Sequence, residues 1–300
     1  MAKKRVVIVG GVAGGATCAA RLRRLDEDAE IVILERGPYV SFANCGLPYY
    51  VGNVIQEESK LLLAWPTLFR ERFNIEVRTR NEVLAIDRTA STVSVRDLET
   101  GREYSEPYDA LVLSPGAAPI RPPWQGIDLP GIFTLRTVPD SREIRHWIDE
   151  KKPHNAVVVG GGFIGLEMAE NLAHRGIAVT IVELSNQVMP PLDPEMAEYA
   201  KQRLESRGVS LALADAVAKF EQGSNGCLSV HTQSGKAYGA DLVVLAIGVR
   251  PETMLARDVV WNWANGEASA SIVKCAPVIR AFGPLAMLLK SEIASLANGN

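Results

Sequence analysis

Cys45 stands in the stretch Ser41–Tyr50, SFANCGLPYY, between an asparagine and Gly-Leu-Pro. A cysteine that only fills a core usually lies inside an apolar periodic segment, where it behaves as a small hydrophobe. Cys45 lies instead at a break in the chain, just ahead of a segment that reads as a short helix. A thiol at a helix start feels the positive end of the backbone dipole, which lowers its pKa and raises its thiolate fraction. Position alone leaves a reactive thiol and a packing residue both open.

Two glycine clusters form the second chemical feature. RVVIVGGVAGGATCAARL (Arg5–Leu22) and AVVVGGGFIGLEMAENL (Ala156–Leu172) each run from β-branched residues through glycines into a helical pattern. Each is followed by a strand-like run ending in an acid, IVILE to Glu35 and VTIVE to Glu183. This is the arrangement of a dinucleotide-binding unit. Its glycines allow a tight turn, close approach of the backbone to a pyrophosphate, and packing of helix on strand. The pyrophosphate rests on the helix N-terminus, and the acid accepts hydrogen bonds from a ribose. The second copy is complete, with Gly160, Gly162 and Gly165 enclosing Phe163 and Ile164. In the first, Gly10 and Gly15 match and Gly14 adds a further glycine, but Val12 holds the middle position. One such cluster is weak evidence; two in the same strand–turn–helix–strand–acid context predict two nucleotide sites.

The elements that must position these residues follow from hydrophobic periodicity. Glu82–Asp87 and Thr92–Arg96 alternate as half-buried strands, and ALVLSPGAAP (Ala110–Pro119) ends a strand in a Pro-Gly turn. LVVLAIGVRPE (Leu242–Glu252) repeats that strand–glycine–proline form. The reading is an α/β chain of two Rossmann-like domains, 1–114 and 115–245, with 246–258 as a return strand towards the first.

The bulk properties agree. The chain has 300 residues, 47% hydrophobic and 22% charged, enough for two globular cores. The net charge is −3 and the basic residues are scattered, so no nucleic-acid footprint is present. Four cysteines (Cys18, Cys45, Cys227, Cys275) and four histidines lack metal-ligand spacing, and no metal site is expected. Sparse cysteine usage fits a reducing cytoplasm. No segment approaches the ~20 apolar residues of a membrane span.

IVGGVAGGATCAARLRRL, ERGPYVSFANCGLPY, LVLSPGAAP, VVVGGGFIGLEMAENL and AIGVRPET together resemble the pyridine nucleotide-disulfide oxidoreductase superfamily. Within it the chain is most similar to the single-cysteine branch of coenzyme A-disulfide reductases, NADH oxidases and persulfide reductases. The resemblance implies FAD at Gly10, Val12, Gly14, Gly15, Glu35 and Arg36, with Ser114, Pro115, Gly116 and Gly248 as further cofactor-binding positions. It implies NAD(P)H at Gly160, Gly162, Phe163, Ile164, Gly165 and Glu183, and electron delivery through the flavin to Cys45. A family member using CxxxxC would carry its second cysteine at Tyr50, so Cys45 would cycle through a mixed disulfide or a sulfenic acid. Cys18 keeps the packing reading.

Thr17, Arg21 and Arg24 share one face of the first helix, and Ser41 and Asn44 flank the cysteine. By resemblance these five positions bind coenzyme A, giving a coenzyme A-type disulfide or persulfide as substrate; an oxygen- or peroxide-reducing oxidase is the alternative. Glu183, followed by Leu184, Ser185 and Asn186 without a cation, favours NADH over NADPH. A nucleotide-binding fragment without turnover is the non-enzymatic reading. The resemblance ends near Asp258, and VWNWANGEASAS (Val260–Ser271) has no counterpart in it. One G restored after the Val259 codon, with suitable codons, yields Gly-Leu-Glu-Leu-Gly-Glu-Arg-Gly, a family-like continuation. Residues 259–300 are therefore expected to be read out of frame. The dimerisation domain of the homodimeric relatives is expected to be missing.

Overall fold

A computed structural model describes residues 3–223, 226–260 and the pair Met287–Leu288. The expectation of an out-of-frame tail concerns residues that, apart from its first two positions and that pair, lie outside the described ones. The chain opens with β1 (Arg5–Val9), α1 (Ala13–Leu25) and β2 (Glu30–Glu35), then a 3-10 turn at Asn44–Gly46, α2 (Leu47–Val51) and α3 (Pro66–Phe73). Next come β3 (Ile75–Thr79), β4 (Asn81–Asp87), β5 (Thr92–Asp97), β6 (Glu103–Pro107), β7 (Ala110–Leu113), β8 (Ala117–Pro119) and β9 (Ile132–Thr134). The second half begins with α4 (Val138–Lys151), β10 (Asn155–Val159), α5 (Phe163–His174), β11 (Ala178–Val182), α6 (Pro194–Ser206) and β12 (Ser210–Ala212). It continues through β13 (Val217–Gln222), β14 (Leu228–Thr232), β15 (Ala237–Ala240), β16 (Leu242–Leu245), β17 (Val249–Pro251), α7 (Met254–Val260) and β18 (Met287–Leu288).

By contacts these residues form two units that are not contiguous in sequence. The first holds the described residues up to Phe42, Leu62–Ala117 and those from Pro251 on; the second holds Ala43–Leu61 and Ala118–Arg250. The segment bearing Cys45 thus groups with the second unit, although it follows the first glycine turn in sequence.

In the first unit the sheet order is β18-β7-β1-β2-β3, with β7, β1, β2 and β3 parallel and β18 antiparallel at the edge. Parallel strands are covered on both faces, which is why β1 and β2 read as unbroken apolar runs. Val6, Ile8, Ile31 and Ile33 meet Ala16, Ala19 and Leu22 of α1. Val7, Val9, Val32 and Leu34 meet Val83, Val93 and Val95 of the antiparallel β4-β5-β6 ladder. Because alternate residues serve opposite layers, both sets of contacts fix the register. Ile8 and Ile33 are fully buried, each stabilising the fold by about 1.5–3 kcal/mol.

The second unit repeats the plan. Its parallel sheet runs β12-β11-β10-β16-β9, and an antiparallel β13-β14-β15 ladder occupies the place that β4-β5-β6 takes in the first. Val157, Val159 and Leu245 pack against Phe220, Leu228 and Val230 of that ladder. In both units a βαβ segment precedes a third strand, a three-stranded insert and a return strand beside the first. That is a structural duplication of the doubled glycine pattern.

Candidate active site

The two glycine turns are built alike. Gly10 has φ +91°, and a Cβ there would lie 2.0 Å from the Ser114 carbonyl oxygen. A Cβ on Gly15 would lie 1.8 Å from the Gly10 carbonyl oxygen, so only glycine lets α1 start this close to β1. The second turn repeats both constraints, with φ +106° at Gly160 and a Gly165 Cβ only 2.0 Å from the Gly160 oxygen. The middle glycine differs: a Cβ on Gly162 meets nothing within 4 Å. The middle position is thus sterically free in the second turn, which accounts for the half-buried Val12 at the equivalent place in the first.

Neither α1 nor α5 has a side-chain cap, and neither carries an acid in its first turn. The first amides of both helices therefore keep donors that a helix cannot satisfy internally, at its positive end. A pyrophosphate suits that donor set. The fit to dinucleotide groups rests on these uncapped amides and on the space that a Cβ would fill.

The two acids do similar local work. Glu35 Oε2 accepts from the Gly11 amide at 2.7 Å and Oε1 from the Gly37 amide at 2.7 Å. Glu183 Oε2 accepts from the Gly161 amide at 2.6 Å and Oε1 from the Ser185 amide at 2.7 Å. Both carboxylates are buried. Each fastens its glycine turn to the end of the neighbouring strand, and about two acceptor sites per carboxylate remain for a ribose. The return loops match as well. The Ser41 amide donates to Gly11 O at 2.9 Å and the Met189 amide to Gly161 O at 2.7 Å, both residues in the left-handed region at φ 48° and 50°.

Val9, Gly10, Glu35, Arg36 and Pro115 line a cavity of about 220 Å³ in the first unit. Asn81–Leu84, Glu252, Met254 and Leu255 complete it, and sequence reasoning did not single these out. Arg36 approaches Glu252 at 3.5 Å across this site. Ser114 is buried beside Gly10, whereas Gly116 and Gly248 take positive φ of 82° and 109°. In the second unit Ala246 stands against Gly160 as Ser114 stands against Gly10, a pairing visible in the sequence only as the parallel between LSPG and LAIG. Phe163 and Leu184 are strongly exposed, and Ile164 is also exposed.

Cys45 is exposed within the 3-10 turn Asn44–Gly46 and precedes α2, in agreement with the expected short helix. The Ala43 amide donates to Leu61 O at 2.8 Å and the Gly46 amide to Ala43 O at 2.9 Å, which pins the turn on both sides of the thiol. The side-chain oxygen of Asn44 is shielded and has no hydrogen-bond partner among the described residues. Tyr50, at the place a second cysteine would take, is buried under the Arg145 guanidinium, 4.4 Å from the ring centre. Cys18 packs against the first core, and burial pushes its thiol pKa up. Thr17, Arg21 and Arg24 lie exposed along α1. The arginine between them, Arg23, is buried and donates to the carbonyls of Asp26, Glu27, Ala29, Phe73 and Asn74. Among the described residues no cluster of His, Cys, Asp or Glu could hold a metal ion. No described helix is long and apolar enough to cross a membrane.

Residues 4–268 match the family described as pyridine nucleotide-disulphide oxidoreductase. The chain belongs to that family. The reduced CoADR-RHD of Bacillus anthracis superposes with a TM-score of 0.83 at 50% identity, over 86% of this chain and 46% of that one. The NAD-dependent persulfide reductase of A. fulgidus gives a TM-score of 0.81 at 37% identity, over 85% of this chain and 48% of that one. The coenzyme A disulfide reductase of Staphylococcus haemolyticus is 38% identical over 250 residues, 83% of this chain and 55% of the relative. The chain thus spans about half the length of the relatives it matches.

Proposed function

We propose that this chain is the two-nucleotide portion of an FAD-dependent NADH oxidoreductase that reduces a disulfide or persulfide through Cys45. The observation that carries the reading is an exposed thiol pinned in a turn that follows a dinucleotide cradle, with a tyrosine where a partner cysteine would stand. Without that partner, the disulfide that is broken must come from the substrate. The Cys45 thiolate attacks one substrate sulfur, the S–S bond breaks, and one thiolate leaves with its electron pair. Resolution of the resulting mixed disulfide requires two electrons and returns Cys45 to the thiolate. Overall, NADH, a proton and a disulfide give NAD⁺ and two thiols. Bound FAD would supply the two-electron relay between nicotinamide and sulfur.

Gly10, Gly14, Gly15 and the uncapped first turn of α1 would hold its pyrophosphate, with Glu35 at a ribose and Arg36 at the mouth of the cavity. Gly160, Gly162, Gly165 and Glu183 would hold NADH. The preference over NADPH is supported by the buried Glu183 carboxylate and by the exposed, uncharged Leu184 that follows it. A coenzyme A-type substrate is supported by the exposed Thr17, Arg21 and Arg24, whose cations suit phosphates. It is also supported by the shielded Asn44 oxygen beside Cys45, which has no partner among the described residues. Anaerobic NADH titration of FAD-loaded protein, followed by coenzyme A disulfide, a persulfide or oxygen, tests the reading. Thiol release from the disulfide or persulfide supports it. Consumption of oxygen alone assigns the oxidase alternative, and flavin binding without any turnover assigns the non-catalytic one.

A further inference from the structure

The short helix after Cys45 cannot hold itself in place. α2 has five residues, far below the length at which an isolated helix is stable in water. Its position depends on what grips it, and the grip comes from α4 and α5. Arg145 Nη1 donates to the carbonyls of Tyr50 at 3.3 Å, Ile55 at 3.2 Å and Gln56 at 3.1 Å, and Nη2 donates to Asn53 Oδ1 at 2.6 Å. Its guanidinium also covers the Tyr50 ring. Arg175, at the end of α5, donates from Nη1 to the Val51 carbonyl at 3.3 Å, and its Nη2 pairs with Asp149. Asp149 also faces Arg145 Nε at 3.8 Å, so one carboxylate anchors both arginines. Arg142 adds a two-pronged pair with Glu58, at 2.7 and 2.6 Å.

Arg142, Arg145 and Asp149 stand at i, i+3 and i+7, one face of α4. Gly52 completes the fit. A Cβ there would lie 2.1 Å from Asn171 Oδ1 of α5, so the end of α2 is seated directly on that helix.

We propose that Arg145 is a positioning residue for Cys45. It holds the Tyr50 carbonyl of α2 and the loop to Gln56 in one geometry, and thereby fixes the 3-10 turn carrying the thiol at the other end of the same short element. The significance for turnover rests on the assignment of Cys45 as redox centre; the positioning itself does not. The effect runs through backbone acceptors rather than through charge on the thiol. Lysine, with one donor group in place of a planar fork, can replace it only in part.

The test compares Arg145→Met and Arg145→Lys with the wild-type chain by amide hydrogen exchange and by iodoacetamide labelling, with the Cys45 peptide quantified by mass spectrometry. Exchange at Leu47–Gln56 should rise by about tenfold or more in Arg145→Met, while β10 and β16 keep their protection. Cys45 labelling should change by about threefold or more, with Arg145→Lys between the two. Unchanged exchange and labelling in folded Arg145→Met overturns the proposal. If Arg145→Met does not fold, the same readouts on Arg145→Lys and Asp149→Asn decide, and wild-type behaviour in both overturns it. A wrong redox assignment would show itself elsewhere, as retained disulfide reduction in Cys45→Ser.

Discussion

Replacing Glu183 separates its bracing of the glycine turn from the reading of a ribose proposed for it. In the folded chain its buried carboxylate accepts two short hydrogen bonds, from Gly161 at 2.6 Å and Ser185 at 2.7 Å. Hydrogen bonds to a charged acceptor contribute about 1.5–3 kcal/mol each, so Glu183→Ala should cost about 3–6 kcal/mol, out of a typical total of about 5–15 kcal/mol. Glu183→Gln keeps one acceptor oxygen and turns an NH₂ group towards the other amide, so about half that loss is expected. Urea unfolding of the three proteins measures this. The second readout is the ratio of NADPH to NADH affinity, taken from fluorescence titration. Loss of the negative charge in Glu183→Gln should raise the ratio by about tenfold, equivalent to about 1.4 kcal/mol. Glu35 is the internal control: it binds Gly11 and Gly37 in the same way, so Glu35→Ala should destabilise comparably but impair FAD retention. Stability of Glu183→Ala within about 1 kcal/mol of wild type would refute the bracing role. An NADPH preference in the wild-type chain would refute the ribose reading.

Further predictions use the same geometry. Gly162→Ala should melt like wild type, because its Cβ enters open space, yet bind NADH more weakly; differential scanning calorimetry and titration check the pair. Gly15→Ala places a methyl group 1.8 Å from backbone oxygen and should lose both FAD and several degrees of melting temperature. Glu106 supplies a pH dependence. Burial opposes its charge, but hydrogen bonds from Arg78 and Arg5 prevail, and its pKa lies below the ordinary value. Its contribution is then complete above the unfolded carboxylate pKa of about 4.3 and is lost as pH falls through the lower folded value. Melting temperatures of Glu106→Gln should therefore be lower than wild type near neutrality and converge with it in acid.

The glycine turns and strands were legible because each rests on local sterics. Positive φ at Gly10 and Gly160 and the contact of Gly15 with Gly10 leave no alternative residue, and β-branched runs mark strands covered on both faces. The imperfect first fingerprint is explained by the free middle position of the second. Less was visible wherever distant residues act. Nothing near Cys45 in the sequence signals that Ala43–Leu61 groups with the second unit. The side chains that grip this segment are Arg142, Arg145 and Arg175, which lie 84 to 124 positions beyond the groups they hold and in no recognisable motif. The lining of the first cavity by Asn81–Leu84, Glu252, Met254 and Leu255 was hidden for the same reason, because the fold and not the local pattern brings those residues to Gly10.

The central claim, that Cys45 carries electrons to a substrate disulfide, is tested most directly by Cys45→Ser in FAD-loaded protein under anaerobic conditions. NADH should still bleach the flavin absorbance, because the residues proposed to hold both nucleotides are unchanged. Added coenzyme A disulfide should then release no thiol, whereas the wild-type chain releases two thiols per NADH consumed. Thiol release by Cys45→Ser at the wild-type rate would contradict the account.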